Sequence, residues 1–470
     1  MAVLQTIMNA FGAAILVPVV IFIICLIMRI NIKKSINSAI LAGVGLVGFS
    51  MITDYFTPVI SPVVNKMVKI AHLNLPVLDI GWQATAVIAY STKIGMIFIG
   101  VLLVWQIFLF AIKWTNVFMP SDLWNNYSLI LWGSETFLLT NNMWLASVLM
   151  LFGNMVCLLY SEVIAKRWST YYGYPQCTLT APHQVGNVPY ALAMNWLFSK
   201  LGVDKVNLNP ETIQKKLGFL GDPMIIGFII GFGLGIIGNI TTLTSINSWG
   251  QIFTVGITTS AVMAIFPKVG SLFASAFSAI TSASQKSMQK GGREWYVAVN
   301  DALGYGETAT LTTGILMIPF ALILAFILPG NIIVPVMCLT GFAYDSEINI
   351  ALADGNIIKA LIMDICIFSG QLYIGSYFAS TFTKISREVG VNMPKGSLMV
   401  IGFVAANITM GLITIAFLTQ NPIIIGAVVL LYLVQFLYYK RHKDKVTDLI
   451  EKYSDYSAIR KPAAETPNVS

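Results

Sequence analysis

Charged side chains are scarce in this chain. Lys, Arg, Asp and Glu make up 10% of its 470 residues, against 56% hydrophobic residues, whereas an ordinary soluble domain is about 25% charged. Twelve of the charged residues fall in residues 440–470, so the rest of the chain is poorer still. This balance excludes a water-soluble enzyme and predicts that nearly all of the chain lies in lipid.

Several chemical signatures are also missing. The five cysteines form no CxxC pair and no metal-ligand spacing. The chain contains no Walker-type phosphate loop, HExxH, GxSxG or dinucleotide fingerprint, and its basic residues form no stripe of the kind that binds nucleic acid. We therefore expect no catalytic residue, no metal, no cofactor and no nucleic-acid partner.

Long hydrophobic runs dominate the remaining sequence. A membrane-spanning helix needs about 20 mostly apolar residues. Charge-free windows of one-span length cover residues 12–28, 35–53, 94–112, 143–160 and 365–383, and longer windows that must turn cover residues 223–267, 308–344 and 396–439. These windows predict an all-α integral membrane protein with about ten to eleven transmembrane helices.

The distribution of basic residues predicts the orientation. Lys and Arg concentrate in cytoplasmic loops of membrane proteins, and residues 440–445 read KRHKDK. We therefore expect a polytopic membrane transport domain over residues 1–439, with its N-terminus outside, and a cytoplasmic basic tail over residues 440–470. The basic loops at 286–293 and 384–395 fall on the cytoplasmic side in the same count.

Two segments are too short or too polar to cross a membrane fully. One surrounds Glu135 and the other surrounds Asp345, roughly 200 residues later, and each contains glycine near its middle. Paired interrupted segments of this kind are typical of transporters with inverted repeats, where they line the substrate site. We predict two re-entrant hairpins in half-repeats of roughly 11–200 and 218–420. The alternative is a pair of connecting loops at the membrane interface.

A third irregular stretch, residues 171–190, carries no formal charge but is rich in Pro, Gly, Thr, Gln and Asn. Such a stretch is too polar to face lipid, so it must be buried in protein or line water. His183 and Gln184 follow Pro182 within it, and together they can donate and accept hydrogen bonds to hydroxyl groups. The alternative for His183 is a structural residue that caps the following helix.

Ionisable groups inside a membrane are costly and usually face a cavity. Glu307 lies deep in its apolar segment, whereas Asp301, at the segment edge, fits a helix cap equally well. A polyhydroxylated substrate needs many paired donors and acceptors, so we expect the polar candidates to line one cavity near the membrane midplane. These candidate substrate-binding residues are Glu135, Asn141, Asn142, His183, Gln184, Glu307 and Asp345.

The chain resembles a known transporter family. The likeness rests on KKLGFLGDPMIIG from Lys215, the upstream PHQ, the downstream GREWYVAVNDALGYGE and the ILPGN turn, and it runs from about residue 11 to residue 439. These residues are similar to the galactitol-type IIC membrane component of the bacterial phosphoenolpyruvate-dependent phosphotransferase system, within its ascorbate and galactitol group.

The resemblance implies a polyol or sugar permease subunit in the bacterial inner membrane. It implies that a separate cytosolic IIB protein, carrying phosphocysteine and supplied by IIA, phosphorylates the substrate, so this chain is not itself the enzyme. It also implies a homodimer whose protomers each hold two re-entrant hairpins.

A second class of transporter stays open on the residues alone. A secondary transporter of a polyol or organic acid, driven by protons or sodium, would use buried carboxylates such as Glu135, Glu307 and Asp345 as coupling sites. Uptake that persists without the phosphocarrier proteins would distinguish this class from a phosphotransferase permease.

Overall fold

The computed structural model describes residues 15, 18–19, 21–70, 76–206, 208–210, 222–289, 294–335, 338–390 and 398–454. Residues 21–27 are helical. The helices that follow are α1 (Ile32–Ile70), α2 (Gly81–Ser91), α3 (Lys93–Ala111), α4 (Tyr127–Thr140), α5 (Met143–Tyr172), α6 (Pro182–Val185), α7 (Val188–Lys200), α8 (Pro223–Gly238), α9 (Ile246–Gln289), α10 (Ala302–Tyr305), α11 (Thr308–Ile327), α12 (Phe342–Leu352), α13 (Ile357–Glu388), α14 (Ile408–Leu418), α15 (Pro422–Arg441) and α16 (Lys443–Lys452).

Short strands accompany the helices. They are β1 (Val77–Asp79), β2 (Val117–Phe118), β3 (Cys177–Leu179), β4 (Tyr296–Val299), β5 (Ile333–Val334) and β6 (Met399–Ile401). The expectation of an all-α protein missed these strands. Each has two to four residues and pairs with strands far away in sequence, so no local pattern marks it.

The order of elements repeats once along the chain. Each half begins with a long helix, a strand, a short helix and a longer apolar helix. A second strand, a 3₁₀ turn, a short helix and a long helix follow. A third strand, one turn and a final helix end the half. The first half extends from α1 to α7, and the second extends from α9 to α14. Helices α4 and α5 thus correspond to α12 and α13.

The two halves exchange strands. β1 lies between β5 and β6, which both come from the second half, and pairs with them in parallel. In the other sheet β4 lies between β2 and β3, which both come from the first half, and is again parallel to its neighbours. Neither half can therefore complete a sheet from its own strands.

A polar side chain at the end of each central strand reinforces the exchange. Asp79 ends β1, and its carboxylate accepts hydrogen bonds from the backbone N–H of Gly81 and of Cys338, the latter in the second half. Asn300 follows β4, and its amide donates to Asp122 of the first half at 3.5 Å. Both links join the start of one half to the middle of the other.

The long helices α1 and α9 pack against each other, and α8 packs along α9. The contact with α8 depends on Gly227, Gly231 and Gly235, which are four residues apart and face α9: a Cβ at each would lie within about 3 Å of Met263, Thr259 and Ile252 respectively. Small residues at this spacing let membrane helices approach closely.

Five helices of the described part are long and apolar enough to span a membrane, namely α3, α5, α11, α13 and α15. Several of their apolar side chains point away from the protein, such as Val104 on α3 and Leu430 on α15, both more than half exposed. This surface suits lipid rather than water. The expected total of ten to eleven spans stays a prediction.

The packing of α11 on α12 gives a first test of the fold. A Cβ at Gly314 would lie 2.5 Å from the backbone nitrogen of Ala343, whereas a Cβ at Gly100 of α3 would meet nothing within 4 Å. We expect Gly314→Ala to lower the free energy of unfolding by about 1–3 kcal/mol because backbone cannot move aside.

Thermal unfolding of the detergent-solubilised protein measures this effect, with Gly100→Ala as the matched helix control. A melting temperature for Gly314→Ala equal to that of the wild type would contradict the close approach of α11 and α12.

Candidate functional site

The segment that holds His183 and Gln184 is a one-turn helix. Pro182 at the first position of α6 fixes its backbone, and residues from the second half hold it in place. Asn407 donates a hydrogen bond to the backbone oxygen of His183 at 2.9 Å, and Thr409 donates to that of Gly186 at 2.6 Å. The orientation of both side chains therefore depends on contact between the halves.

Asp301 connects the two halves at the same place. Oδ2 of Asp301 lies 3.2 Å from Nε2 of His183 and accepts a hydrogen bond from Nε2 of Gln184 at 3.1 Å. A carboxylate accepts hydrogen bonds, so the network assigns a proton to Nε2 of His183. Nδ1 of His183 and Oε1 of Gln184 are then left as acceptors, and both are buried without a hydrogen-bond partner among the described residues.

Asp122 extends the cluster. It lies in the 3₁₀ turn that follows β2 and accepts hydrogen bonds from Asn125, from Thr180 at 3.0 Å and from Asn300. It is almost fully buried and interacts electrostatically with Asp301. Two carboxylates thus lie near one another in the protein interior.

The parallel sheet explains why these residues meet. Asp122, His183 and Asp301 come shortly after β2, β3 and β4 respectively, and the carboxyl ends of parallel strands lie at the same edge of a sheet. In the other sheet the turn after β6 is apolar, Phe403–Ala406, and Asp79 at the end of β1 accepts hydrogen bonds from backbone N–H groups. The cluster of His183, Asp122 and Asp301 therefore lies at the edge of the sheet that contains β4.

Helix α12 contributes two more carboxylates. Asp345 is partly exposed and interacts electrostatically with His183 and Asp301. Glu347 is fully buried; its Oε2 accepts a hydrogen bond from Trp168 at 3.3 Å, and its Oε1 has no hydrogen-bond partner within the described ranges. We call the set Asp122, His183, Gln184, Asp301, Asp345 and Glu347 the central cluster.

A small pocket adjoins Asp345. It has room for about one water molecule and is lined by Ser346, Asp364 and Gln371 among polar residues. Asp364 accepts hydrogen bonds from Ser346 at 2.7 Å and from Asn349 at 2.6 Å. Within the described residues no group of three or more His, Cys, Asp or Glu side chains is arranged to hold a metal ion.

Tyrosines surround the central cluster. The ring of Tyr127, the first residue of α4, lies 6.1 Å from the ring of His183, and Tyr305 and Tyr344 pack with their ring centres 4.2 Å apart. Tyrosine offers a flat apolar face and a hydroxyl group. Such rings suit a ligand that carries both C–H and O–H groups.

The predicted site residues divide into two groups. His183, Gln184 and Asp345 lie in the central cluster, and Glu307 is close to it, since Glu307 interacts electrostatically with Glu347. Glu135 lies about 12 Å and Asn141 about 21 Å along α4 from Tyr127, at a rise of 1.5 Å per residue. Their place in a single cavity stays a prediction.

Residues at the far end of α4 have structural contacts. Asn141 is exposed and adopts a left-handed conformation that ends α4, and Asn142 caps α5 by accepting a hydrogen bond from the N–H of Leu145. Glu135 is fully buried, and in the part of the chain that the structure describes neither of its carboxylate oxygens has a hydrogen-bond partner.

Asp301 and Glu307 make different contacts. Glu307 caps α11 by accepting hydrogen bonds from the N–H groups of Ala309 and Thr310. Asp301 precedes α10 but makes no side-chain cap, because its carboxylate turns to His183 instead. Both lie just before a helix in sequence, so only the tertiary contacts distinguish them.

Asp122 and Asp364 were missed by sequence reasoning. Asp122 lies in an irregular turn and Asp364 lies inside α13, and neither is near a glycine-rich break. A buried aspartate in an apolar helix is itself a signal, and this signal could have identified Asp364.

The fold and site together define an integral membrane protein of the transporter class, with apolar helices around a polar, acidic centre. Comparison with known families makes this more specific. The family described as "PTS system sugar-specific permease component" matches residues 6–396. The chain belongs to this family of phosphotransferase-system permeases.

Individual relatives cover most of the chain. A "Putative permease IIC component" of Escherichia coli (strain K12) is 26% identical over 81% of this chain and 86% of its own length. The chain is also similar to the galactitol-specific EIIC components of Escherichia coli (strain K12) and Escherichia coli O157:H7, each 23% identical over 89% of this chain and 92% of the relative.

The capping contacts of Glu307 predict its mutational behaviour. Glu307→Ala removes the acceptor for two helix N–H groups and should lower the free energy of unfolding by about 0.5–2 kcal/mol, whereas Glu307→Gln keeps an acceptor oxygen and should lower it less. Thermal unfolding in detergent, together with polyol binding, measures both. If Glu307→Gln abolishes binding at unchanged stability, Glu307 contacts the substrate in addition to capping α11.

Proposed function

We propose that this permease carries galactitol or a closely related polyol across the bacterial inner membrane for phosphorylation by a separate IIB protein. The observation that carries the proposal is the pair of unpartnered buried acceptors, Nδ1 of His183 and Oε1 of Gln184, beside the carboxylates of the central cluster. Hydroxyl groups are the donors that such acceptors need. The galactitol-specific relatives support the choice of a polyol.

The helix pairs α4/α5 and α12/α13 are the candidates for the two re-entrant hairpins. In each pair a short helix of 14 or 11 residues turns into a long helix of about 30 residues, and a short helix cannot cross about 30 Å of hydrocarbon. With the halves in opposite orientation, one hairpin would enter from each side. The half-repeats of roughly 11–200 and 218–420 fit this arrangement.

The proposed site consists of the central cluster together with Glu307. Glu135, Asn141 and Asn142 belong to it only if the cavity extends along α4. The transport domain would cover residues 1–439, with the N-terminus outside and the basic tail in the cytoplasm, and two copies would form a homodimer.

The proposed partners are cytosolic. IIB would present a phosphocysteine loop at the inner mouth of the site, and IIA would recharge IIB. Basic loops steer and hold a negatively charged partner. The basic loops at 286–293 and 384–395 would dock IIB in this way. Residues 290–293 and 391–397 lie outside the described residues, and Lys384 and Arg387 are the described candidates.

His183 provides the direct test of the site. His183→Ala removes one acceptor for a neutral hydroxyl, worth about 0.5–1.5 kcal/mol, so the dissociation constant for galactitol should rise roughly two- to ten-fold. Binding of labelled galactitol to the purified protein measures it. His442→Ala is the matched control, because His442 follows α15 at its far end, is partly exposed, and contacts the ring and the backbone oxygen of Tyr438.

A variant that binds galactitol normally when solubilised but fails to reach the membrane would assign His183 a structural role instead. The same would follow if His183→Ala and His442→Ala changed binding equally.

Transport itself tests the coupling. Family membership does not favour a proton- or sodium-driven transporter, so we expect galactitol uptake into vesicles to require phosphoenolpyruvate and the IIA and IIB proteins. Uptake that continues in their absence and responds to a sodium or proton gradient would contradict the proposal.

A further inference from the structure

Side chains from other parts of the chain hold the C-terminal end of α12. The last carbonyl groups of a helix have no partner inside the helix and need donors from elsewhere. The backbone oxygen of Ala351 accepts a hydrogen bond from Nε of Arg167, in α5. The backbone oxygen of Leu352 accepts one from Oγ of Ser454 at 2.8 Å. The end of α12 is therefore fixed both by the first half and by the segment that follows α16.

Arg167 also joins the turn between α12 and α13 to α16. Its guanidinium group pairs with Asp354 of the turn at 2.6 Å and with Glu451 of α16 at 3.5 Å. The side chain of Arg167 is 2% exposed, whereas those of Asp354 and Glu451 are 12% and 11% exposed. Both carboxylates thus lie close enough to the surface to meet water if their contacts to Arg167 open.

Helix α16 is packed lightly at this place. Of its ten residues, all of which the structure describes, Ile450 is the buried one, and its neighbour Leu449 is more than half exposed. The contacts beyond Ile450 are polar: Glu451 pairs with Arg167, and the backbone oxygen after α16, at residue 453, accepts a hydrogen bond from Asn195 at 3.2 Å. Segments with few buried apolar contacts open locally at low free-energy cost. Helix α16 can therefore separate from α12 without disrupting the core.

The turn between α4 and α5 is held differently. Asn141 is exposed, and the hydrogen bonds described for Asn141 and Asn142 stay within residues 137–146. At the α12/α13 turn, by contrast, Asn356 donates a hydrogen bond to the backbone oxygen of Val206, beyond α7, at 3.0 Å. The α12/α13 turn is thus tied to distant parts of the chain, whereas the described hydrogen bonds of the α4/α5 turn are local.

Helix α5 connects this region to the central cluster. Trp168, which follows Arg167, donates a hydrogen bond to Oε2 of Glu347 at 3.3 Å. Tyr172, one turn further along α5, donates to the backbone oxygen of Glu347 at 3.1 Å. Since α12 is a single short helix, a movement of its C-terminal end also shifts Glu347 and the site around it.

Four residues carry the contacts between α16, α5 and the end of the α12/α13 hairpin, and we call them the latch: Arg167, Asp354, Glu451 and Ser454. We propose that the latch holds the α12/α13 hairpin closed, so that bound substrate leaves past this hairpin when α16 moves away. The proposal rests on the proposed function, because the substrate whose release it controls is the proposed polyol. The latch works on the face of the protein that carries α16.

Hydrogen exchange of the full-length purified protein tests the latch without a ligand. Glu451→Gln removes one charge of the latch at nearly constant shape, and Arg167 keeps Asp354 as its partner, so no buried charge is left unpaired. We expect amide exchange over residues 349–356 to become about 3- to 10-fold faster, as for the loss of one hydrogen bond. Asp448→Asn, on the exposed side of α16, is the matched control and should leave exchange unchanged.

A second variant acts on the same helix end without changing any charge. Ser454→Ala removes the donor to the backbone oxygen of Leu352, so it should also speed exchange over residues 349–356. This variant decides the question where Glu451→Gln does not fold. Exchange over residues 349–356 that stays at the wild-type rate in the folded variants would overturn the latch.

Release of galactitol measures the functional consequence. Labelled galactitol should dissociate about 3- to 10-fold faster from Glu451→Gln than from the wild type, in proportion to the weakened contact, and at the wild-type rate from Asp448→Asn. An unchanged dissociation rate, with exchange over residues 349–356 accelerated, would show that α16 does not control release and would overturn the proposal. If galactitol does not bind to the wild type, the transport proposal fails, and the exchange rates still decide whether α16 holds the hairpin.

Discussion

The exchange of strands between the halves is the constraint on which the rest of the structure depends. Backbone N–H and C=O groups left unpaired inside a membrane protein cost several kcal/mol each, and the breaks between helices expose such groups. β1 and β4 satisfy them by entering the sheets of the opposite half. The two halves therefore fold as one unit rather than as separable domains.

The same exchange assembles the site. The sheet that contains β4 brings Asp301 of the second half to the edge where His183 and Asp122 of the first half lie. Asn407 and Thr409 then hold the α6 turn from the second half. A relative movement of the halves would separate Asp301 from His183, so the geometry of the acceptors is coupled to the arrangement of the repeats.

Composition and apolar windows predicted the membrane class, which the family match confirms. They also singled out His183, Gln184 and Asp345, which lie in the central cluster; the half-repeats and the role of these residues in binding stay predictions. They could not predict the strands, because strands of two to four residues pair only with partners some 120 to 320 residues away. They could not distinguish Asp301 from Glu307, since both precede helices and differ only in tertiary contacts. The local sequence predicts which residues are buried, but it does not predict which buried polar groups form hydrogen bonds with one another.

The most direct measurement is a structure of the protein with galactitol bound. The account predicts ligand density between α6 and α12, with hydroxyl oxygens within about 3 Å of Nδ1 of His183 and Oε1 of Gln184. Density beside Glu135 and Asn141, with His183 and Asp301 still bonded only to each other and to Gln184, would contradict the account and place the substrate at the far end of α4.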